Sequence, residues 1–390
     1  MLIEPAHRLT QLPPYVFSEV NKLTVQAEKR GVRLLSLAIG DPDLPTPQPI
    51  IDRIREATTR TENHGYSPYE GTQAFRHAVA SYFIKRFHVE LNPKTEVVAL
   101  IGSKEGVAHF PFAFCNPGDC CLYPDPGYPI FLSSILLAGG VPKPVTLRAE
   151  NQFIPELNEL EDLFVQNKPK YLLLNFPSNP TTAVCPKGRL KEMVFLAKKY
   201  GVILVHDSAY SEIYFDPASR PASILEIEGA KDVAIEFHSL SKTFSMTGWR
   251  IGFAVGNPQL IAGLLRLKTN IDSGPLLAVQ EASVFAFSQF EELCGPIRET
   301  YAKRRKLALD RLTQLHLEYF MPQATFYVWV KVPGQKSSME FAKTLIEKQG
   351  VVVTPGIGFG QAGEHFFRLS LTVPEAQIEQ AMDKIGKAIT

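Results

Sequence analysis

A lone lysine among small hydroxyls, with an arginine eight residues further on, marks the stretch Ser239-Leu240-Ser241-Lys242-Thr243-Phe244-Ser245-Met246-Thr247-Gly248-Trp249-Arg250-Ile251-Gly252. Hydroxyl donors and a guanidinium hold a phosphate, while a lysine amine condenses with an aldehyde and later serves as a base. Both functions together suit a phosphorylated aldehyde. The bland alternative is a surface lysine in a Ser/Thr-rich loop, and the rest of the chain decides between the two.

Such a site needs elements that bring distant residues to one place. The middle of the chain alternates short apolar runs with amphipathic stretches. Residues 96–101, 120–123, 171–175, 202–207, 233–238 and 251–256 read as buried strands rich in Val, Ile and Leu. Residues 186–200 put Leu190, Met193, Val194 and Ala197 on one helical face and stop at Gly201, a C-cap; residues 155–166 do likewise with Leu157, Leu160 and Leu163. This alternation predicts an α/β chain with a mostly parallel sheet covered on both faces. Residues 259–315 read as a long helical region punctuated by Gly274-Pro275 and Gly295-Pro296. Strands at 325–332, 351–354 and 366–371 and helices at 338–348 and 374–389 then suggest a smaller α+β unit.

In an open α/β sheet, ligands bind beyond the carboxyl ends of the strands. After the first run comes Gly102-Ser103-Lys104-Glu105-Gly106, a helix start whose amides suit a phosphate, as those of many N-caps do. After the second comes Pro124-Asp125-Pro126-Gly127-Tyr128-Pro129, where Tyr128 either stacks on a flat ring or fills the turn. The third ends in Phe176-Pro177-Ser178-Asn179-Pro180-Thr181, whose Asn179 offers an amide or merely caps a turn. The fourth ends in Val205-His206-Asp207-Ser208-Ala209-Tyr210. A carboxylate at that depth needs a cation or strong donors, and a protonated pyridine nitrogen meets the need; a helix N-cap is the structural alternative. The fifth end is the lysine stretch.

Taken in order, these turns resemble the class I/II aminotransferases, which are pyridoxal phosphate (PLP) enzymes of fold type I, over essentially the whole chain. The resemblance implies a large domain with a mostly parallel seven-stranded sheet and a smaller α+β C-terminal domain. Residues 1–45 would form an N-terminal arm and part of the small domain, 46–280 the large PLP-binding domain, and 281–390 the small domain. It further implies that Asp207 pairs with the pyridine nitrogen and keeps the ring cationic. Asn179 and Tyr210 would bond the ring's phenolic oxygen. Ser103, Lys104, Ser239, Ser241 and Arg250 would form the phosphate cup, and Tyr128 would lie over the ring. Tyr66, in Tyr66-Ser67-Pro68-Tyr69-Glu70-Gly71, would reach the phosphate of a neighbouring subunit, so a homodimer with shared active sites is implied. Lys242, Asp207 and Tyr210 are then the catalytic set. Arg368 and Gly40, with Asn179, would receive the substrate's α-carboxylate. The octapeptide Gly356-Ile357-Gly358-Phe359-Gly360-Gln361-Ala362-Gly363 lies far from any βαβ start and reads as a mobile connection rather than a nucleotide loop.

Several phrases, among them His206-Asp207-Ser208-Ala209-Tyr210-Ser211-Glu212 and Asn270-Ile271-Asp272-Ser273-Gly274, are similar to the branch that acts on LL-diaminopimelate and 2-oxoglutarate in lysine biosynthesis. For the distal end of that substrate the chain offers Tyr15, Glu70, Asn270 and Asp272. Two departures stand out. Asn179-Pro180-Thr181-Thr182 has Thr182 where relatives have glycine, and a β-branched residue resists a left-handed turn. The apolar Pro275-Leu276-Leu277 leaves open another donor: aspartate, alanine or an aromatic amino acid. A PLP lyase would share every cofactor contact, since reaction choice depends on which Cα bond stands perpendicular to the ring.

Composition excludes other classes. The 390 residues carry 41 Lys+Arg against 40 Asp+Glu, a net charge of +1, so no global field draws the chain to nucleic acid or anionic lipid. The expected partners are small amino and 2-oxo acids and a second copy of the chain. Five cysteines show neither a C-x-x-C pair nor histidines at ligand spacing, so no metal is expected. Without a signal-like apolar start or an unbroken membrane-length run, a cytoplasmic location is expected.

Overall fold

The structure, a computed structural model, describes residues 3–13, 16–334 and 336–389. The six apolar runs form strands Val97–Leu100, Cys120–Asp125, Tyr171–Asn175, Ile203–Asp207, Ala234–Ser239 and Gly252–Gly256. A seventh, Val141–Thr146, joins them at an edge. Across the sheet the strands start at residues 97, 252, 234, 203, 171, 120 and 141 in turn. Only Gly252–Gly256 runs antiparallel, to both of its neighbours. The edge strand escapes a reading by apolar runs because its sequence, VPKPVT, holds two prolines and is mostly exposed. Proline is tolerated at an edge, where its missing N–H disrupts no interior ladder.

Alternation along these strands builds two cores. Val98, Leu100, Leu173, Val205 and Ile235 pack on one face, with Val107 and Phe110 of helix Ser103–Phe114. Val97, Ala99, Leu172, Leu174 and Leu204 pack on the other, with Met193 and Val194 of helix Lys187–Tyr200. Asn175, Asp207 and Ser239 continue the first face to the carboxyl ends of three adjacent strands, which aims them at a single place.

His206 and His238 point the other way and meet one acid. His206 and Glu236 are register partners on adjacent strands. Glu236 Oε2 accepts from His206 Nδ1 (3.1 Å), Ser223 Oγ (2.9 Å) and the Ile224 amide (2.7 Å), and Oε1 accepts from His238 Nε2 (2.6 Å). Burial by itself would raise the Glu236 pKa, but the bonds from His206 and His238 hold it below the ordinary range. This knot ties together the two strands whose next residues are Asp207 and Ser239.

The later helices are Pro258–Lys268, Leu277–Ser288 and Phe290–Gln314. Gly274-Pro275 separates the first two as expected, but Gly295-Pro296 does not interrupt the third, which carries Pro296 inside it. The break falls at Gln289 instead. The expected domain boundary at residue 280 lies within Leu277–Ser288, a helix packed on Gln48–Thr58 and Gln73–Phe87 of the large unit. The chain crosses to the small unit with Phe290–Gln314, which packs on Glu375–Ile389. There an antiparallel sheet runs Thr354–Pro355, Phe366–Ser370, Tyr327–Lys331, Tyr319–Phe320. The expected single strand 351–354 is split: Val351–Val352 pairs in parallel with Leu35–Ser36 rather than joining that sheet. Leu35, Leu37, Val351 and Val353 share one hydrophobic cluster with Tyr210 and Phe326.

The glycine-rich segment 356–363 is not a mobile connection. It forms two short 3-10 turns, Gly356–Phe359 and Gln361–Gly363, docked on the turn after Cys120–Asp125. The Gly127 amide donates to the Phe359 carbonyl (2.8 Å) and the Ala362 amide to Asp125 Oδ1 (3.1 Å). All five cysteines are free. Among the described residues no helix is long and apolar enough to cross a membrane.

Replacing Glu236 by Leu strands the buried donors of His206, Ser223 and Ile224. Urea denaturation of the apoprotein is expected to show a loss of about 3–5 kcal/mol. A loss under about 1 kcal/mol would show that the knot does not secure the two strands.

Candidate active site

At the carboxyl ends of the central strands lies a cavity of about 370 Å³. Its floor carries Asn175, Asp207 and Ser239, its rim Ser103, Lys104 and Tyr128, and its small-unit wall Tyr327 and Arg368. Gly40, Asn179, Tyr210, Ser241, Lys242 and Arg250 complete the expected set. Sequence positions as far apart as Gly40 and Arg368 thus meet because the N-terminal segment pairs with the small unit.

Lys242 lies in the short helix Leu240–Thr243, capped by Ser239, whose Oγ accepts from the Ser241 amide (3.2 Å). Its Nζ reaches the Gly40 carbonyl (3.3 Å). Gly40 is needed there, since a Cβ would overlap the Tyr327 hydroxyl. Burial lowers the Lys242 pKa to about 8; Arg250 and Arg368 push in the same direction, and Asp41 and Asp207 oppose them. A lysine so placed holds a substantial neutral fraction near neutrality, as a nucleophile or base requires.

Asp207 is buried and carries no ion pair among the described residues; the Ala209 amide donates to its Oδ1 (3.2 Å). Burial raises its pKa to about 6, against the lowering influence of that amide, His206, His238 and Lys242. The carboxylate is therefore short of a cation. Beside it the Tyr210 hydroxyl bonds the Tyr327 hydroxyl (2.8 Å). Burial and Tyr327 raise the Tyr210 pKa well above 10, so it stays protonated and able to donate.

Arg368 is clamped from all sides. Its Nη1 donates to Asn179 Oδ1 (2.6 Å) and its Nη2 to the Ala38 carbonyl (2.8 Å), with the guanidinium 4.1 Å from the Tyr327 ring centroid and 4.8 Å from that of Phe359. Because a guanidinium only donates, Oδ1 of Asn179 must face it, which leaves Nδ2 as a donor toward the cavity. The Arg368 Nε is buried without a hydrogen-bond partner among the described residues.

The expected phosphate cup is shaped by backbone. Gly102 takes φ 92 ahead of the helix Ser103–Phe114, and a Cβ there would strike the Arg250 guanidinium. Arg250 itself sits at φ 55, with Nη1 bonded to the Thr247 carbonyl (2.9 Å). Helix N-terminal amides, two serines and this arginine make an anion site. The residues therefore fit PLP: a donor set for phosphate, an amine for the aldehyde, and a buried acid short of a cation for the ring nitrogen.

One expectation changes, and two residues of the expected set stand outside the cavity of the single chain. Thr182 does take the left-handed turn, at φ 66, fully buried and with its hydroxyl unpartnered. The conformation is imposed by the bonds around it, from the Thr182 amide to the Ser178 carbonyl (3.0 Å) and from the Ser178 amide to the Ala183 carbonyl (2.9 Å). Asn270 lies outside the cavity on an exposed turn, its Nδ2 donating to the Arg266 carbonyl (2.8 Å). Tyr66 is 90% exposed and outside the cavity of its own chain, as a residue expected to reach a neighbouring subunit must be. Tyr15 lies outside the described residues. Glu105, His109 and Asp272 bring possible ligand atoms together, but Lys268 Nζ already bonds Glu105 (3.2 Å) and Asp272 (2.6 Å). Sequence reasoning missed Tyr327 and Asn175, because each reads as part of a core strand.

The family model described as aminotransferase class I and II matches residues 32–385. The chain is 49% identical to the LL-diaminopimelate aminotransferase of Nitratidesulfovibrio vulgaris strain Hildenborough, over 98% of each chain. It is 48% identical to the one from Aquifex aeolicus, over 98% of this chain and 99% of the relative. Substrate-bound BacF from Bacillus subtilis superposes with a TM-score of 0.93 at 34% identity, covering 100% of this chain and 98% of that one.

Two outcomes are expected of the apoprotein. Since folding raises the Asp207 pKa from 3.8 to about 6, its stabilising contribution is present below pH 3.8 and lost as pH rises through about 6. Asp207→Asn should therefore stabilise the apoprotein near pH 8, by up to about 3 kcal/mol, with no gain below about pH 4. Thermal melts across that range test this, and a gain that is flat with pH would contradict it. In competitive acetylation, Lys242 reactivity should rise with pH about a midpoint near 8. A midpoint matching exposed lysines would overturn the assignment.

Proposed function

The chain belongs to the class I and II aminotransferases, which use pyridoxal phosphate, and from that premise we propose that its amino donor is LL-diaminopimelate and its acceptor 2-oxoglutarate. The observation that carries this reading is identity of nearly one half, along almost the full length, to relatives named for that donor. The cavity supports it with one fixed cation, Arg368, for the α-carboxylate common to donor and acceptor.

PLP, when bound, supplies an aldehyde for the amino group and a conjugated sink for the electrons left at Cα. Everything else is work for the chain. Arg368 orients the substrate by its carboxylate, which leaves the Cα proton within reach of whichever group is set above it. Lys242, its pKa lowered to about 8, takes that proton and returns it. Asp207 would hold negative charge against the ring nitrogen, and Tyr210 and Asn179 would donate toward the ring's oxygen. The 2-oxo acid formed from the donor leaves before the acceptor acid enters the same site, and the amino product leaves last, so the kinetics are ping-pong. The working form is a homodimer in which Tyr66 completes the neighbour's phosphate cup; its exposure in the single chain supports that role.

The test is a donor panel. The cofactor's visible band should be lost fastest, at equal concentration, with LL-diaminopimelate, and 2-oxoglutarate should restore it. Faster loss with aspartate, alanine or an aromatic amino acid would remove the donor assignment and leave the family intact.

A further inference from the structure

A second cavity, of about 490 Å³, lies between helices Gln73–Phe87 and Leu277–Ser288, with the start of Phe290–Gln314 along one side. It shares no lining residue with the active site. One wall is apolar: Val284, Phe287 and Phe290 line it, and the Tyr82 ring packs 5.0 Å from Phe290 and 5.3 Å from Phe287 between centroids.

The charged groups are mostly cationic. Lys85, Arg86 and Arg220 line the cavity, and its single acid, Glu291, is already engaged by Arg298. Neither Lys85 nor Arg220 has an ion pair among the described residues. Arg86 is buried; its Nε donates to Glu212 Oε1 (2.9 Å) and its Nη2 to the Pro221 carbonyl (3.1 Å), while Nη1 has no hydrogen-bond partner among the described residues. A volume of this size suits a small molecule. An apolar wall facing Lys85 and Arg220, which no acid compensates among the described residues, selects an organic anion with an aromatic or branched aliphatic body and repels an ammonium ligand.

The same two side chains lead to the active site. Tyr82 donates to Glu212 Oε1 (2.6 Å), the oxygen that Arg86 also holds. Glu212 belongs to the turn that follows Asp207, in which the Ser211 amide bonds the Ser208 carbonyl (3.1 Å) and the Ile213 amide the Tyr210 carbonyl (3.0 Å). Its Oε2 has no hydrogen-bond partner among the described residues and lies 3.8 Å from Arg298 Nη1, so the hydrogen bonds that hold the acid's side chain come from the two residues that line the second cavity. A ligand that draws on Arg86 therefore changes what fixes the turn carrying Asp207 and Tyr210.

We propose that this cavity is an effector site for a small amphipathic carboxylate, acting on the active site through Arg86, Tyr82 and Glu212. The probes are anilinonaphthalene sulfonate, followed by fluorescence, and phenylacetate as its competitor, both on the holoenzyme. Ser81→Trp places an indole in the mouth of the cavity and Lys85→Glu reverses a rim charge; neither residue belongs to the catalytic or cofactor set. The expected result is saturable fluorescence, displaced by phenylacetate and weakened at least tenfold in both variants. Saturating phenylacetate should also shift the amino donor's KM by about fivefold in the native enzyme and leave it unmoved in Ser81→Trp. Fluorescence indifferent to both variants, displacement without any kinetic change, or a KM shift that persists in Ser81→Trp would each overturn the proposal.

Discussion

Withdrawal of water from two ionisable groups at once governs this structure. Lys242 and Asp207 lie in one cavity, and burial drives each toward its neutral form, the amine downward and the acid upward. Neither compensates the other well enough to cancel that effect. Both therefore retain unmet demand for a partner, and a fold that maintains such demand must be rigid elsewhere. The rigidity comes from strands buried on both faces, from the Glu236 knot behind Asp207 and Ser239, and from the clamps on Arg368.

Much of this was legible in the sequence because buried parallel strands are written as unbroken apolar runs, and the chemistry follows each run directly. Asp207, Asn179 and Lys242 stand out for that reason. The edge strand Val141–Thr146 is invisible to the same reasoning, since edges neither need apolar residues nor forbid proline. Tyr327 was hidden differently. It lies in an apolar strand of the other unit, and only the tertiary fold turns its hydroxyl toward Tyr210.

Local rules failed where neighbouring bonds were stronger than local preference. Thr182 and Arg250 both occupy left-handed backbone that disfavours side chains with a Cβ, at a cost of about 1–2 kcal/mol each. Closed hydrogen bonds across residues 178–183 impose the first, and the second accompanies the arginine's approach to Gly102. Proline likewise failed to end the helix Phe290–Gln314 at residue 296, because one missing N–H is a small loss in a helix of 25 residues packed along its length. Asn270 and Tyr66 show a further limit: both stand outside the cavity of the single chain, and spacing in sequence does not say which residues a fold leaves exposed.

The pairing of Leu35–Ser36 with Val351–Val352 bears on how the molecule is made. A ribosome releases the first of these strands more than three hundred residues before the second. The central sheet, whose last strand ends at Gly256, is fully synthesised well before that. The emerging polypeptide must therefore keep its leading segment unpaired while the middle condenses. The wall carrying Arg368 can be sealed only once the tail arrives, so nascent chains would acquire the lysine pocket before the guanidinium that closes over it.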